Sequence, residues 1–166
     1  MTTTQQDLAK ELSALAENAG DAEELMSIIV GRLQERLPHF NWVGFYMIEE
    51  SRDGSEPMLV LGPYVGAITP HTRIPLNQGI CGAAASSGRT VIVDDVNSDP
   101  RYLACSLETK SEIVVPVVVK GKVVGELDVD SHTPAAFQHD DRQLVEHCAR
   151  LVGHCLEKTA EGQDQQ

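Results

Sequence analysis

Four cysteines stand in this 166-residue chain, at Cys81, Cys105, Cys148 and Cys155, and two of them have neighbours that suit thiol chemistry. Cys105 lies in a polar stretch just ahead of an acidic hairpin, where it reads equally as a nucleophile and as a small apolar filler. Cys81 sits in Gly79-Ile80-Cys81-Gly82, a sequence that permits close backbone approach to a ligand and equally a simple tight turn. Cys148 and Cys155 recur seven residues apart on one helix face and read as core. His147 and His154 repeat that spacing. Two helical turns are too far for convenient co-ligation and no Cys-x-x-Cys pair accompanies them, so no metal site is expected.

The second group with chemical potential is acidic: Glu112, Asp128 and Asp130. On an open sheet face these carboxylates are merely solvated. On a covered face they are too close together to remain all ionised without a cation, and at least one then has a raised pKa and can donate a proton. Such a site would hold an ammonium group and supply acid chemistry together. Trp42 and Tyr46 alternate along an earlier stretch and read either as walls of that pocket or as ordinary core.

The elements that must position these residues follow from periodicity. A first helix is capped near Thr4, carries Leu8, Leu12 and Leu15 at helical spacing and ends at Gly20. Asp21 with Glu24 starts a second, whose stripe is Leu25, Ile28, Ile29, Leu33 and Leu37 and which Pro38 stops. Trp42 to Glu49 reads as a strand, Asp53-Gly54 as a turn and Met58 to Leu61 as the return strand. A short strand at Arg73-Ile74, a short helix or tight loop over Gly79 to Gly88, and a strand at Val91 to Val93 come next. Asp94 to Lys110 is an aperiodic loop, and a last helix spans about Asp140 to Lys158 with Leu144, Cys148, Leu151, Cys155 and Leu156 inward.

Between these lies the clearest hairpin, Ile113 to Val119 and Val123 to Val129. Antiparallel partners face the same side, so a slip of one residue would expose the wrong set. Ile113, Val115, Val117 and Val119 must share the core with Val123, Leu127 and Val129. That requires an odd loop, and the three residues Lys120-Gly121-Lys122 fit. The opposite face then carries Glu112, Glu126, Asp128 and Asp130, with Glu112 close to Asp130. Two helices, a mostly antiparallel sheet and a closing helix make an α+β sandwich with the terminal helices on one face.

Bulk properties narrow the function. The length suits one domain with a single core. The net charge of −12 opposes nucleic-acid binding and docking on anionic membrane. No apolar run reaches the roughly 18–20 residues of a membrane span, and no leader-like start is present. A cytoplasmic protein with reduced thiols is therefore expected, in which any disulfide is transient and catalytic.

Several segments in order resemble the free methionine-R-sulfoxide reductases, which are GAF-domain enzymes. They are Asn41-Trp42-Val43-Gly44-Phe45-Tyr46, Leu61-Gly62-Pro63-Tyr64, Arg73-Ile74-Pro75 with Gly79-Ile80-Cys81-Gly82, Ser111-Glu112-Ile113-Val114-Val115-Pro116, and Gly125-Glu126-Leu127-Asp128-Val129-Asp130-Ser131. The resemblance runs from about residue 40 to residue 155. It implies a GAF domain, expected over 21–158; periodicity sets an N-terminal helix over 1–20 before it, and polar composition a disordered tail over 159–166 after it. It implies Cys105 as nucleophile, Cys81 as its partner thiol, and Glu112, Asp128 and Asp130 as substrate-binding positions with Trp42 as a pocket wall; the alternation with Trp42 adds Tyr46 to the expected substrate-binding set, and Glu112 or Asp130 is the expected proton donor. His71 stands where relatives often carry a third cysteine, and Tyr102-Leu103-Ala104-Cys105-Ser106 differs from the family's usual His-Ile-Ala-Cys-Asp. The expected activity uses a thioredoxin-type reductant, no metal and no organic cofactor, and a homodimer is compatible with it. The alternatives are a non-catalytic GAF module that binds a small molecule or senses redox state, and a dimerising scaffold whose acidic face would be open to solvent.

Overall fold

The computed structural model describes residues 1–51, 53–102 and 107–164, with side chains through residue 160. Helix α1 (Thr3–Asn18) buries Leu8 and Leu12. Its cap is Thr2 rather than Thr4: the Thr2 hydroxyl accepts from the Gln5 N–H, and the Gln5 side chain accepts from the Thr2 N–H, a reciprocal box that Thr4 could not form. Helix α2 (Ala22–Arg36) starts at Asp21, whose carboxylate accepts from the Glu24 N–H at 2.8 Å.

The strands are β1 (Trp42–Glu49), β2 (Met58–Val65), β3 (Arg73–Pro75), β4 (Val91–Val93), β5 (Ser111–Val119) and β6 (Lys122–Ser131). They form one antiparallel sheet in the order β3-β2-β1-β6-β5-β4. β2 runs four residues beyond its expected end at Leu61, because its pairing with β1 resumes after an irregularity between Gly44 and Tyr46. The stretch around Cys81 is helix α3 (Gly79–Ser87), closed by Gly88 in the left-handed region at φ 68°. Helix α4 spans His139–Asp164, six residues past Lys158 and into the stretch expected to fray.

Side-chain alternation gives the sheet two unlike faces. Val43, Phe45, Ile113, Val115, Val117, Leu127 and Val129 form one buried layer with the inner faces of α1, α2 and α4, including Leu144 and Cys148. The opposite face carries Trp42, Tyr46, Leu59 and Val114, covered by Ile80, Cys81, Ala84 and Ala85 of α3. The terminal helices therefore share one face, as the α+β reading requires, and α3 packs on the other.

The β5–β6 hairpin has the expected register at its acidic end, with Glu112 paired to Asp130, Ile113 to Val129 and Val115 to Leu127. Its connection differs. Val119 pairs with Lys122, leaving a two-residue turn at Lys120 and Gly121, both with positive φ (51° and 78°). The odd count comes instead from a bulge, since Val117 faces Gly125 while Val118 faces Val123, so that Val124 is skipped. Val124 packs against the helix-side core, whereas Val119 and Val123 are only partly buried and stand outside it.

Two helical glycines separate packing from propensity. A Cβ on Gly153 would lie 2.6 Å from the Val118 carbonyl oxygen, where α4 crosses the end of β5. A Cβ on Gly31, inside α2, would meet nothing within 4 Å. In urea titrations, Gly153→Ala should destabilise by about 1–3 kcal/mol through overpacking, and Gly31→Ala should stabilise by up to about 1 kcal/mol through helix propensity.

Candidate active site

Three adjacent strands build the floor of the site. Alternation along β6 turns Glu126, Asp128 and Asp130 toward α3, and β5 adds Glu112 beside Asp130. On the other side of β6, Trp42, Gly44 and Tyr46 of β1 pair with Asp130, Asp128 and Glu126 in turn. The acidic face is closed, not solvated: Glu112, Glu126, Asp128 and Asp130 are 5%, 0%, 2% and 3% exposed. This removes the scaffold reading, which needed that face open.

Among the described residues, no lysine, arginine or histidine forms an ion pair with any of the four. Both carboxyl oxygens of Glu126, Oδ1 of Asp128 and Oδ1 of Asp130 are buried without a hydrogen-bond partner. All four groups are held well above the ordinary carboxylate range. Burial is the largest cause in each case, and charge repulsion adds to it, from Asp128 on Glu112, Asp130 on Asp128, and Glu112 on both Asp130 and Glu126. Such a cluster holds its protons to higher pH than ordinary carboxylates do, unless a cation arrives to balance it.

Cys81 lies in the first turn of α3, buried against this floor. Its Sγ donates to Asp128 Oδ2 at 3.5 Å. Burial first, then the charges of Asp128, Glu126 and Glu112, push the thiol pKa up, so the resting group is a thiol. A cavity of about 20 Å³ is bounded by Tyr46, Ile74, Cys81, Glu112 and Asp128. The Cys81 sulfur and one oxygen each of Glu112 and Asp128 lie within 4.8 Å of one another, a donor set of a kind that can hold a metal ion.

The aromatic wall is equally specific. Trp42 donates its indole N–H to the Ala67 carbonyl at 3.1 Å, and Tyr46 donates its hydroxyl to the His71 carbonyl at 2.7 Å. Their ring centroids are 6.3 Å apart, and Tyr64 stacks on Trp42 at 5.7 Å. A cavity of about 80 Å³ lies beside this wall, bounded by Trp42, Thr69, Asp130 and His132 among others. Gly44 makes the arrangement possible, because a Cβ there would stand 2.4 Å from Trp42 Cη2 and 2.8 Å from Tyr64 Cβ. The site roles of Gly44, Tyr64 and Glu126 were not among the sequence expectations. The signal was present for Gly44, two residues from Trp42 on the same face, and for Glu126, two residues from Asp128.

Of the expected site residues, Cys81, Glu112, Asp128, Asp130, Trp42 and Tyr46 converge on this face. Cys105 lies outside the described residues. Cys148 is buried in the layer on the other side of the sheet, with Cys155 packed against that layer. His147 hydrogen-bonds Ser13 at 2.8 Å, between α1 and α4. No helix among the described residues is long and apolar enough to cross a membrane.

Comparison with known proteins agrees with this architecture. Residues 21–156 match the family model of the GAF domain. The free methionine-R-sulfoxide reductase of Escherichia coli is 37% identical over 152 residues, 88% of this chain and 87% of that one. The Saccharomyces cerevisiae protein of the same name is 42% identical over 113 residues, 68% and 61% of the two chains. Among solved structures, free methionine-R-sulfoxide reductase from Neisseria meningitidis in complex with its substrate superposes with a TM-score of 0.86 at 32% identity, covering 95% of this chain and 91% of that one. The chain belongs to the GAF-domain family and, within it, to the group of the free methionine-R-sulfoxide reductases.

The raised carboxyl pKa values have a consequence for stability. An acid whose folded pKa exceeds its unfolded value, 3.8 for Asp and 4.5 for Glu, favours the folded state fully below that unfolded value. The contribution is lost as pH rises through the folded pKa. Unfolding free energy without ligand should therefore fall as pH is raised from about 4.5 toward 8. Asp128→Asn should flatten part of that slope and stabilise the protein at pH 8 by about 1 kcal/mol or more, as measured by denaturant titration across the pH range.

Proposed function

We propose that this protein reduces free methionine-R-sulfoxide to methionine by thiol chemistry. The observation that carries the reading is the closed acidic floor. Buried carboxyl groups with orphaned oxygens call for a cationic partner, and the ammonium of a free amino acid supplies one. A methionine residue within a polypeptide has an amide there and no charge to offer. Family membership, including a relative whose structure is described as a complex with its substrate, supports the same assignment.

In this mechanism Asp128 and Asp130 accept the substrate ammonium, and Trp42 with Tyr46 walls the thioether side. Backbone N–H groups in the first turn of α3 hold the substrate carboxylate. Cys105, as thiolate, attacks the sulfoxide sulfur while Glu112 or Asp130, protonated in the buried cluster, gives its proton to the sulfoxide oxygen. The oxygen passes to Cys105 as a sulfenic acid, and methionine leaves. Cys81 then attacks the Cys105 sulfur, forming a disulfide and releasing water. A thioredoxin-type dithiol reduces that disulfide and restores both thiols.

The test follows NADPH oxidation by thioredoxin reductase and thioredoxin, with a chelator present, on free methionine-R-sulfoxide, the S epimer and a peptide-bound sulfoxide. Turnover should be confined to the free R epimer. Cys105→Ser should abolish it, and Cys81→Ser should release methionine once without recycling. Asp130→Asn should lower kcat/KM by about 10- to 100-fold, the cost of a lost charged hydrogen bond. Stoichiometric ligand binding without turnover, unaffected by Cys105→Ser, would assign the chain instead to the non-catalytic ligand-binding modules of its family.

A further inference from the structure

The donor set at Cys81 has properties that the reduction of a sulfoxide does not require. We propose that Cys81, Glu112 and Asp128 form a binding site for a thiophilic divalent cation of the zinc class, and that occupancy inhibits the enzyme. The inhibitory part rests on the reductase reading given above; the binding itself does not.

Geometry supports the site first. With Zn–S near 2.3 Å and Zn–O near 2.1 Å, a tetrahedral centre has an S···O edge of about 3.6 Å. Cys81 Sγ and Asp128 Oδ2 are 3.5 Å apart, and an oxygen of Glu112 completes a triangle whose members all lie within 4.8 Å. Small side-chain adjustments close that triangle on an ion. A cavity of about 20 Å³ borders all three donors, room enough for a single ion.

A second and independent observation points to a cationic occupant. Asp128 is 2% exposed and its Oδ1 has no hydrogen-bond partner among the described residues. A dication would relieve the repulsion within the cluster and supply the missing partner. Donor chemistry then selects the ion. A thiolate with two carboxylates favours a borderline metal such as zinc over magnesium or calcium, which take oxygen donors only. On binding, the Cys81 S–H bond breaks, sulfur bonds to the metal and the proton leaves to solvent, as do any protons on Glu112 and Asp128. A metal-bound Cys81 cannot attack a sulfenic acid, and neutralised carboxylates cannot hold an ammonium, so cation and substrate exclude each other.

The experiment is calorimetric titration of Zn²⁺ into the reduced, untagged full chain, paired with Co²⁺ titration followed by thiolate-to-cobalt charge-transfer absorption. Expected are one ion per chain, affinity weakened at least tenfold in Cys81→Ser and in Glu112→Gln, and no change in Cys155→Ser, whose thiol lies on the opposite side of the sheet. The cobalt band should vanish in Cys81→Ser, and free methionine-R-sulfoxide should compete. Circular dichroism establishes that each variant is folded. Absence of binding to the wild-type chain, equal affinity in folded Cys81→Ser and Glu112→Gln, or a cobalt spectrum without a thiolate band would overturn the site. Turnover measured with chelator keeps the two readings apart. Turnover without zinc binding removes only this inference, and zinc binding without turnover removes the reductase and leaves the site.

Discussion

Four carboxyl groups buried on one sheet face, with no ion-paired cation among the described residues, impose the constraint around which the rest of the molecule is arranged. An uncompensated charge in such a place costs several kcal/mol, so the resting cluster keeps protons and the cost is lowered but not removed. The opposite face of the same sheet offsets it. There Val43, Phe45, Ile113, Val115, Val117, Leu127 and Val129 meet three helices in an apolar layer, free of buried charge within the sheet itself. One face stabilises the fold and the other is held ready for a ligand. This division is a common one in proteins whose sites carry stored electrostatic cost.

Helix α3 converts that constraint into a reactive arrangement. Its small residues, Gly82, Ala84 and Ala85, allow the helix to sit close over the floor, and Gly82 leaves no space for a Cβ against the Leu76 carbonyl oxygen, which would be 2.8 Å away. The same close approach brings the Cys81 thiol against Asp128. Burial and neighbouring charge keep that thiol protonated until a reaction or a cation removes the proton. Cavities of about 20 Å³ and 80 Å³ lie beside the floor.

Much of this was legible before any coordinates. The bounds of β1, the short strands β3 and β4, the Asp21 cap and the pairing of Glu112 with Asp130 all follow from periodicity and local capping chemistry, which act over a few residues. The hairpin shows where such reasoning stops. An odd loop was required, and the chain meets the requirement with a two-residue turn and a bulge at Val124, because a turn with two positive φ values matches strand twist and the bulge restores the count. The Thr2 cap is not legible locally because Thr3 and Thr4 offer the same hydroxyl, and Gln6 stands three residues after Thr3 just as Gln5 does after Thr2. Gly44 passed as an ordinary strand glycine since nothing local says that an indole folds over it.

The sequence by itself determined which residues share a face. Strand period, helix period and antiparallel register are short-range rules, and they placed Glu112, Glu126, Asp128 and Asp130 together with Trp42 and Tyr46 on sides of strands that could meet. What only the tertiary structure decided is whether that face is wet or dry. Four carboxylates in a row are an ordinary solvated surface until something covers them. Much of the cover is α3, which is separated from β6 in the chain by β4, a long loop and β5. Burial, the raised pKa values, the thiol-to-carboxyl contact and the orphaned oxygens all arise from that packing, because desolvation depends on atoms far away in sequence and no local pattern records it.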